Sequence, residues 1–316
     1  MITQFTSPIH ISLRFKSFLY LCTFFLLISC EKNTLESNPY PIDNLYRIPV
    51  VVHVIHQGEK IGEGYNLSEE RIIDQIKTLN EDFRRKVGTR GFNNHPNGAD
   101  TRIEFVLAKS TPNGTPTNGI VRIDSSTINN PIPINQRYDH FAYYSYWDYK
   151  HYLNIWIDPL PETFIDVILG FATGPNSDLP GNHLFALGEP IQAEGIIINS
   201  FHFGKSAIQS NYNLGRTLTH EVGHYLGLLH LWGSYDCATN DYCEDTPPVS
   251  NHNSGCPTNI PLACNGEPAF IANYMDYTAD DCMNMFTKDQ VKRMHYVLEN
   301  TSARKSLIHS PGLKEP

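Results

Sequence analysis

Along the first two thirds of the chain, stretches of β-branched apolar residues alternate with stretches whose apolar residues recur at the spacing of one helix face. Residues 48–56 are mostly β-branched, which predicts a buried strand. Ser68 then caps a predicted helix whose apolar face runs from Ile72 to Phe83, so this helix backs onto a sheet. Further strands are predicted over residues 102–108, 152–157 and 195–199, with residues 170–175 either a short edge strand or a loop.

The pattern changes in the second half of the chain. Residues 214–229 predict a second helix, and Thr287 to Gln290 form a capping-box sequence that opens a last helix. Residues 231–272 lie between these helices and have no apolar period, and residues 111–147 are predicted to be mostly loop. Strands and helices in this order indicate an α+β fold with a regular first part and an irregular second part.

The amino terminus is typical of an export signal. Residues 1–29 contain two basic side chains and no acid, and the apolar run that follows them is too short to span a bilayer. The run ends at Cys30 in a sequence that resembles the lipobox of bacterial lipoproteins, in which this cysteine carries the lipid. We expect a protein anchored by lipid to the bacterial cell envelope, including its outer surface, with no other membrane contact. The alternative is an ordinary cleaved signal and a secreted protein.

The composition excludes several classes of protein. Of the 316 residues, 41% are hydrophobic and 18% are charged, which excludes wholesale disorder. A net charge of −9 argues against the basic surface that binds nucleic acid. Five cysteines lie between Cys237 and Cys282, where an oxidising compartment would permit disulfides. Their number is odd, so at least one stays unpaired or pairs elsewhere, and spacing alone does not decide which.

The stretch HEVGHYLGLLH, from His220 to His230, predicts a metal site. His220 and His224 lie four residues apart on a helix, so both imidazoles can reach one ion. Gly227 allows the chain to turn out of the helix, and the turn returns His230 as a third nitrogen ligand. Three protein ligands leave a fourth position for water, which is the arrangement of a catalytic zinc site.

Glu221 supplies the predicted acid–base chemistry. It follows the first histidine, so its carboxylate lies beside the metal rather than on it and can take a proton from metal-activated water. The full pattern, with its glycine and third histidine, arises by chance in a chain of this length at a rate on the order of 10⁻⁴. A helix with incidental histidines is therefore a poor explanation.

The zinc motif and several other segments resemble the pappalysin family of metzincin proteases. Met275 stands in NYMDYT, where a metzincin has its Met-turn. DTP at 245–247, GCP at 255–257 and CMNMFT at 282–287 also match, as do the early segments IPVVVHVIH and LNEDFRR. The resemblance covers residues 46–300. It implies a metzincin-type zincin, with a twisted mixed sheet, a backing helix and an active-site helix. An irregular, disulfide-braced C-terminal subdomain ending in a helix follows.

The resemblance also implies roles for residues after the motif. Met275 would form an apolar floor under the zinc, and Tyr277 would stabilise the oxyanion. Asp281 would lie at the base of the primed-side specificity pocket and select Arg or Lys after the cleaved bond, with the adjacent Asp280 as the alternative.

Disulfides and a calcium site are implied in the same way. The family pairing would join Cys237 with Cys264 and Cys256 with Cys282 and leave Cys243 as the odd thiol. The calcium ligands would be Asp241, Asp245 and Thr246, whose oxygens suit a hard cation. Ordinary turns and solvated acids are the alternative interpretation of those three residues.

Together these observations predict one function. We expect a monomeric zinc endopeptidase that acts on protein or peptide substrates and prefers Arg or Lys on the primed side. The alternatives are a non-catalytic surface-binding protein on a metzincin scaffold and a metzincin of another family, such as an astacin-like enzyme. The predicted divisions are a signal peptide (1–29), a tether (30–46), a catalytic subdomain (47–230), a C-terminal subdomain with the Met-turn (231–305) and a tail (306–316).

Overall fold

The centre of the fold is a mixed sheet of six strands. The computed structural model describes residues 44–133, 136–158, 168–185 and 193–316, all within the unit that spans residues 40–316. The predicted signal peptide, Cys30 and nearly all of the predicted tether lie outside the described residues. The strands of this sheet are β1 (Tyr46–His56), β2 (Ile103–Leu107), β3 (Ile120–Asp124), β4 (Leu153–Asp158), β5 (Gly170–Ala172) and β6 (Ile196–Asn199).

Strand β1 is the centre of this sheet. Its first half pairs in parallel with β2, its second half pairs in parallel with β3, and β4 pairs along its other side. The order continues through β6 to β5, which is antiparallel to β6 and forms the edge. The four predicted strands and the edge strand are therefore confirmed, each within a few residues of its predicted bounds.

Four α-helices surround the sheet in the described part of the chain. Ser68 caps the first, and its side chain accepts a hydrogen bond from the Arg71 amide as predicted. Thr287 and Gln290 form the predicted capping box of the last. The helices are α1 (Glu69–Phe83), α2 (Arg137–Tyr144), α3 (Arg216–Tyr225) and α4 (Lys288–Asn300).

Two predictions about regular structure need correction. Strand β3 and helix α2 both lie within residues 111–147, which the sequence predicted to be mostly loop. β3 is only partly buried and carries charged residues, so its pairing with β1 rather than its own pattern defines it. The second predicted helix is also shorter than residues 214–229, because Gly215 and Gly227 at its two ends take positive φ angles of 86° and 92°.

The segment between α3 and α4 has little regular structure. Only β7 (Ser254–Gly255) and β8 (Tyr277–Thr278) form strands there, and they pair in parallel. Disulfides join Cys237 with Cys264 and Cys256 with Cys282, the same pairs that the family resemblance implied, and Cys243 is a buried free thiol. Within the described residues, no helix combines the length and apolar character needed to cross a bilayer.

Candidate active site

The three histidines of the motif converge at the carboxyl end of α3. Their Nε2 atoms form a triangle whose sides measure 3.0 Å between His220 and His224, 3.1 Å between His220 and His230, and 3.0 Å between His224 and His230. Residues four apart on one helix and a third residue beyond its end thus present nitrogen atoms to one point.

A tight turn after α3 makes this convergence possible. The Gly227 amide donates to the His224 carbonyl at 2.9 Å, and the Leu228 amide donates to the Gly223 carbonyl at 2.9 Å. These two bonds, with Gly227 in the left-handed conformation, form a Schellman motif. A Cβ atom at Gly227 would also lie 2.8 Å from Val297 of α4, so both the backbone and the packing require glycine here.

Backbone carbonyls orient two of the imidazoles. Nδ1 of His220 donates to the Tyr274 carbonyl at 2.6 Å, and Nδ1 of His224 donates to the Leu228 carbonyl at 2.8 Å. Burial lowers the pKa of His220 to about 3, with a further contribution from His224, and it lowers the pKa of His224 to about 4. Both rings are therefore neutral at physiological pH, with their Nε2 lone pairs free for a metal.

The geometry of these nitrogens fits zinc. A point about 2.0 Å from all three lies just off the plane of the triangle, which matches zinc–imidazole distances. Within the described residues, this is the one group of three or more His, Cys, Asp or Glu side chains close enough together to hold a metal ion. Uncharged imidazole donors and an open side toward the cleft are the features of a catalytic site rather than a structural one.

Glu221 is buried beside this triangle. Strand β5 passes close to it, and a Cβ atom at Gly170 would lie 2.9 Å from the Glu221 Cγ. Burial raises the pKa of the Glu221 carboxyl to about 8, and a cation bound nearby would lower that pKa again. The carboxyl can therefore both accept and release a proton near neutral pH.

Met275 and Tyr277 reach the site from the irregular segment. Met275 is fully buried, and its sulfur packs where a Cβ atom at Gly223 would stand, so glycine in α3 allows this contact. The ring of Tyr277 lies 4.9 Å from that of His230, and the residue is 37% exposed and lines the cleft. Burial of the phenol raises the pKa of Tyr277, with a further contribution from Glu221, so the hydroxyl keeps its proton.

The structure separates the two candidate specificity residues. Asp280 is buried and lines the cleft of about 760 Å³, which also contains the histidines. Its Oδ2 accepts from the Leu214 amide at 2.7 Å, and its buried Oδ1 has no hydrogen-bond partner among the described residues. Asp281 has a side chain that is 70% exposed and pairs with Arg90 outside the cleft. Of the two, Asp280 lines the cleft, because the backbone amides of Leu214 and Arg216 hold its carboxylate there, and a role in specificity for either residue stays a prediction.

The residues of the predicted calcium site lie in one turn. Thr246 donates its hydroxyl hydrogen to Oδ1 of Asp241 at 2.7 Å, and Oδ2 of Asp241 is buried without a hydrogen-bond partner in the described chain. Asp245 accepts a hydrogen bond from the Asp289 amide at the start of α4, at 3.1 Å. Burial raises the pKa of Asp241 to about 7.

Two residues that the sequence analysis did not select support the site. Asp82 in α1 accepts hydrogen bonds from Arg216 at 3.2 Å and from Thr219 at 2.8 Å, both in α3. Trp232 stacks on the ring of His230, with ring centroids 4.3 Å apart and planes 12° apart. Two sequence features could have identified these residues: Asp82 lies within the family segment LNEDFRR, and Trp232 follows the third histidine by two residues.

Known proteins similar to this chain include extracellular metalloproteases and solved structures of mirolysin. A model of a peptidase family, described as pregnancy-associated plasma protein-A, matches residues 136–299. Extracellular metalloprotease 1 of Coccidioides posadasii is 30% identical over 242 residues, which are 77% of this chain and 73% of that protein. Mature mirolysin of Tannerella forsythia, solved with a cleaved peptide, is 35% identical with a TM-score of 0.67, covering 84% of this chain and 96% of that one. Promirolysin of the same organism is 34% identical with a TM-score of 0.69, covering 84% and 85%.

Proposed function

The chain belongs to the pregnancy-associated plasma protein-A family and is a metalloendopeptidase, and from that premise we propose that its catalytic metal is zinc, held by His220, His224 and His230. The convergence of the three Nε2 atoms within 3.1 Å of one another carries this proposal. Bound zinc would supply the Lewis acidity that makes water a nucleophile near neutral pH and polarises a peptide carbonyl.

Glu221 is the proposed general base and acid. Its buried carboxylate takes the proton of the attacking water and then passes it to the nitrogen of the leaving amine. The free space at Gly170 supports this role, because it lets the Glu221 carboxylate lie against strand β5.

Tyr277 is the proposed donor to the oxyanion. Its phenol keeps its proton because burial raises its pKa, so it can donate a hydrogen bond to the oxygen that gains charge as the carbonyl is attacked. Its backbone is held at both ends, since the Tyr277 amide donates to Asp276 at 2.8 Å and its carbonyl accepts from the Tyr212 hydroxyl at 2.9 Å.

The substrate is a protein or peptide, and we propose that it binds as an extended chain beside β5. This strand is the edge of the sheet and lines the cleft, so its outer backbone groups are placed to pair with a peptide. The buried Oδ1 of Asp280, which has no hydrogen-bond partner in the described part of the chain, supports a preference for Arg or Lys on the primed side of the cut. A peptide-library cleavage profile, compared with that of Asp280→Asn, tests the preference.

Export and calcium binding are two further proposals. The relatives named extracellular metalloproteases and the amino-terminal sequence support export, with a lipid on Cys30. Mass spectrometry of the mature amino terminus tests the lipid. The buried Oδ2 of Asp241, which no described residue contacts by a hydrogen bond, supports a calcium site with Thr246 and Asp245. The test is a rise in thermal midpoint with calcium that Asp241→Asn removes.

The decisive experiment compares wild type with Glu221→Ala. We expect wild type to contain one equivalent of zinc and to cleave unfolded proteins in a chelator-sensitive manner. Glu221→Ala keeps the zinc and loses cleavage by several orders of magnitude. Glu63→Ala, at an exposed position, is the matched control and keeps full activity. Normal cleavage by Glu221→Ala contradicts the mechanism, and a zinc-free active wild type contradicts the metal assignment.

A further inference from the structure

The third metal-binding histidine is held differently from the other two. Nδ1 of His220 and Nδ1 of His224 each donate to a backbone carbonyl. Among the described residues, the imidazole ring of His230 has hydrogen-bond contacts only at its Nε2 atom, and none at Nδ1. Its ring lies instead almost parallel to the indole of Trp232, at 4.3 Å between centroids and 12° between planes. At His230, stacking on the indole of Trp232 is therefore found where His220 and His224 each have a carbonyl acceptor.

The indole itself is rigidly placed. Trp232 is 1% exposed, and two successive turns hold its backbone: the Gly233 amide donates to the His230 carbonyl at 3.2 Å, and the Tyr235 amide donates to the Trp232 carbonyl at 3.0 Å. The ring of Tyr277 also meets the indole, with centroids 4.7 Å apart and planes 70° apart. One side chain thus contacts both His230 and Tyr277, the proposed donor to the oxyanion.

We propose that Trp232 is a positioning residue that orients His230 toward the metal and Tyr277 toward the substrate. This inference rests on the proposed zinc site. An imidazole bound to a cation becomes poor in electrons, and the face of an indole carries negative potential. The stack is therefore stronger in the metal-bound protein than in the metal-free protein. Trp232 consequently contributes to metal affinity as well as to packing.

The test uses Trp232→Leu, which removes the aromatic face, and Trp232→Phe, which retains a smaller one. Trp156→Leu is the matched control. Trp156 is equally buried and stacks on a histidine, His53, at 5.7 Å and 22°, but it belongs to a different apolar cluster. Zinc affinity is measured by competition with a chromophoric chelator, and ligand geometry from the visible spectrum of the cobalt-substituted protein.

We expect Trp232→Leu to weaken zinc binding about 10- to 100-fold and to change the cobalt spectrum, as substitutions that release a metal ligand do. Trp232→Phe should fall between Trp232→Leu and wild type. Trp156→Leu should lower the thermal midpoint but leave zinc affinity within about twofold of wild type. At saturating zinc, Trp232→Leu should lower kcat about tenfold with little change in KM, because Tyr277 loses its support.

Each outcome decides the inference. Equal zinc affinity and an equal cobalt spectrum in wild type and Trp232→Leu overturn the role of Trp232 and leave the zinc site intact. Equal weakening by Trp156→Leu also overturns it, because the effect would then reflect lost stability in general. Absence of stoichiometric zinc in the wild type overturns both the proposed zinc site and this inference.

Discussion

Two regions of the molecule meet at the cleft and are built in different ways. The sheet region, residues 44–225 as far as they are described, contributes His220, His224 and Glu221 on helix α3, which packs against strands β5 and β6. The irregular region, residues 226–287, contributes His230 and Tyr277 from a chain with only two short strands. Repeating backbone hydrogen bonds stabilise the first region, whereas individual cross-links stabilise the second.

In the irregular region, disulfides and side-chain hydrogen bonds replace the repeating backbone hydrogen bonds of helices and strands. Two disulfides brace it, and paired side-chain amides connect it to α4: Asn273 donates to Gln290 at 2.9 Å, and Gln290 donates back at 3.1 Å. Asp276 accepts from the amide and the side chain of Asn253. Each of these disulfides and hydrogen bonds holds the chain at one position, so loss of a single one should loosen this region without unfolding the sheet.

The largest expected effect is in the sheet region, at Asp82. Asp82→Ala leaves Arg216 buried without its carboxylate partner, so the free energy of unfolding should fall by about 3–5 kcal/mol. The measurement is urea unfolding at pH 8, because burial raises the pKa of Asp82 to about 6 and the carboxyl must be ionised. Lys77→Ala, which removes an exposed partner of Glu81, is the control and should cost less than about 0.5 kcal/mol. A loss below about 1 kcal/mol for Asp82→Ala would contradict a structural ion pair.

The second-largest expected effect is a loss of stability in the irregular region when one of its disulfides is removed. Replacing Cys256 and Cys282 together by serine should lower the free energy of unfolding by about 3 kcal/mol, because the unfolded chain gains freedom. Hydrogen exchange should increase across residues 226–287 while β1 stays protected. Cys243→Ala, which removes no cross-link, serves as the control. Uniform loss of protection in both regions would mean that they unfold as one unit.

A smaller effect depends on pH and belongs to the sheet region alone. Burial lowers the pKa of His53 from 6.5 to about 4, and the hydrogen-bond partners of its ring among the described residues are Ser145 and Asn154, both at 2.9 Å. The unfolded state therefore binds the proton first as pH falls, and stability is lost between pH 6.5 and pH 4, by about 2 kcal/mol at pH 5. His53→Gln should remove this part of the pH dependence of urea unfolding. His309→Gln, at an exposed position, should retain it.

The smallest expected effect lies where the two regions share the cleft. Gly170→Ala would put a methyl group 2.9 Å from the Glu221 Cγ and 2.8 Å from Ile198, so the Glu221 carboxylate must shift. We expect kcat to fall about tenfold, which corresponds to about 1.4 kcal/mol in the barrier, with KM nearly unchanged. Ala172→Gly, in the same strand, is the control for altered strand flexibility. Unchanged kcat in Gly170→Ala would show that Glu221 does not depend on this space.

The amino-acid sequence predicts structure correctly where that structure depends on near neighbours. The cap at Ser68, the capping box at Thr287 and the four strands predicted outright follow from residues within a few positions of each other. It missed β3 and α2, whose polar patterns are weak and whose existence depends on packing against other elements. It also extended the active-site helix too far, because an apolar pattern continues past the point where Gly227 reverses the chain.

The amino-acid sequence alone determined the chemistry of the metal site, because helical geometry brings His220 and His224 together without help from the rest of the chain. Only the tertiary structure decided that Asp280 rather than Asp281 faces the cleft, and that Trp232 lies against His230. In an irregular segment no repeating geometry assigns a side chain to a face. The direction of a side chain there is set by distant partners, as the Leu214 amide sets that of Asp280. Residues so far apart in the sequence leave no local pattern.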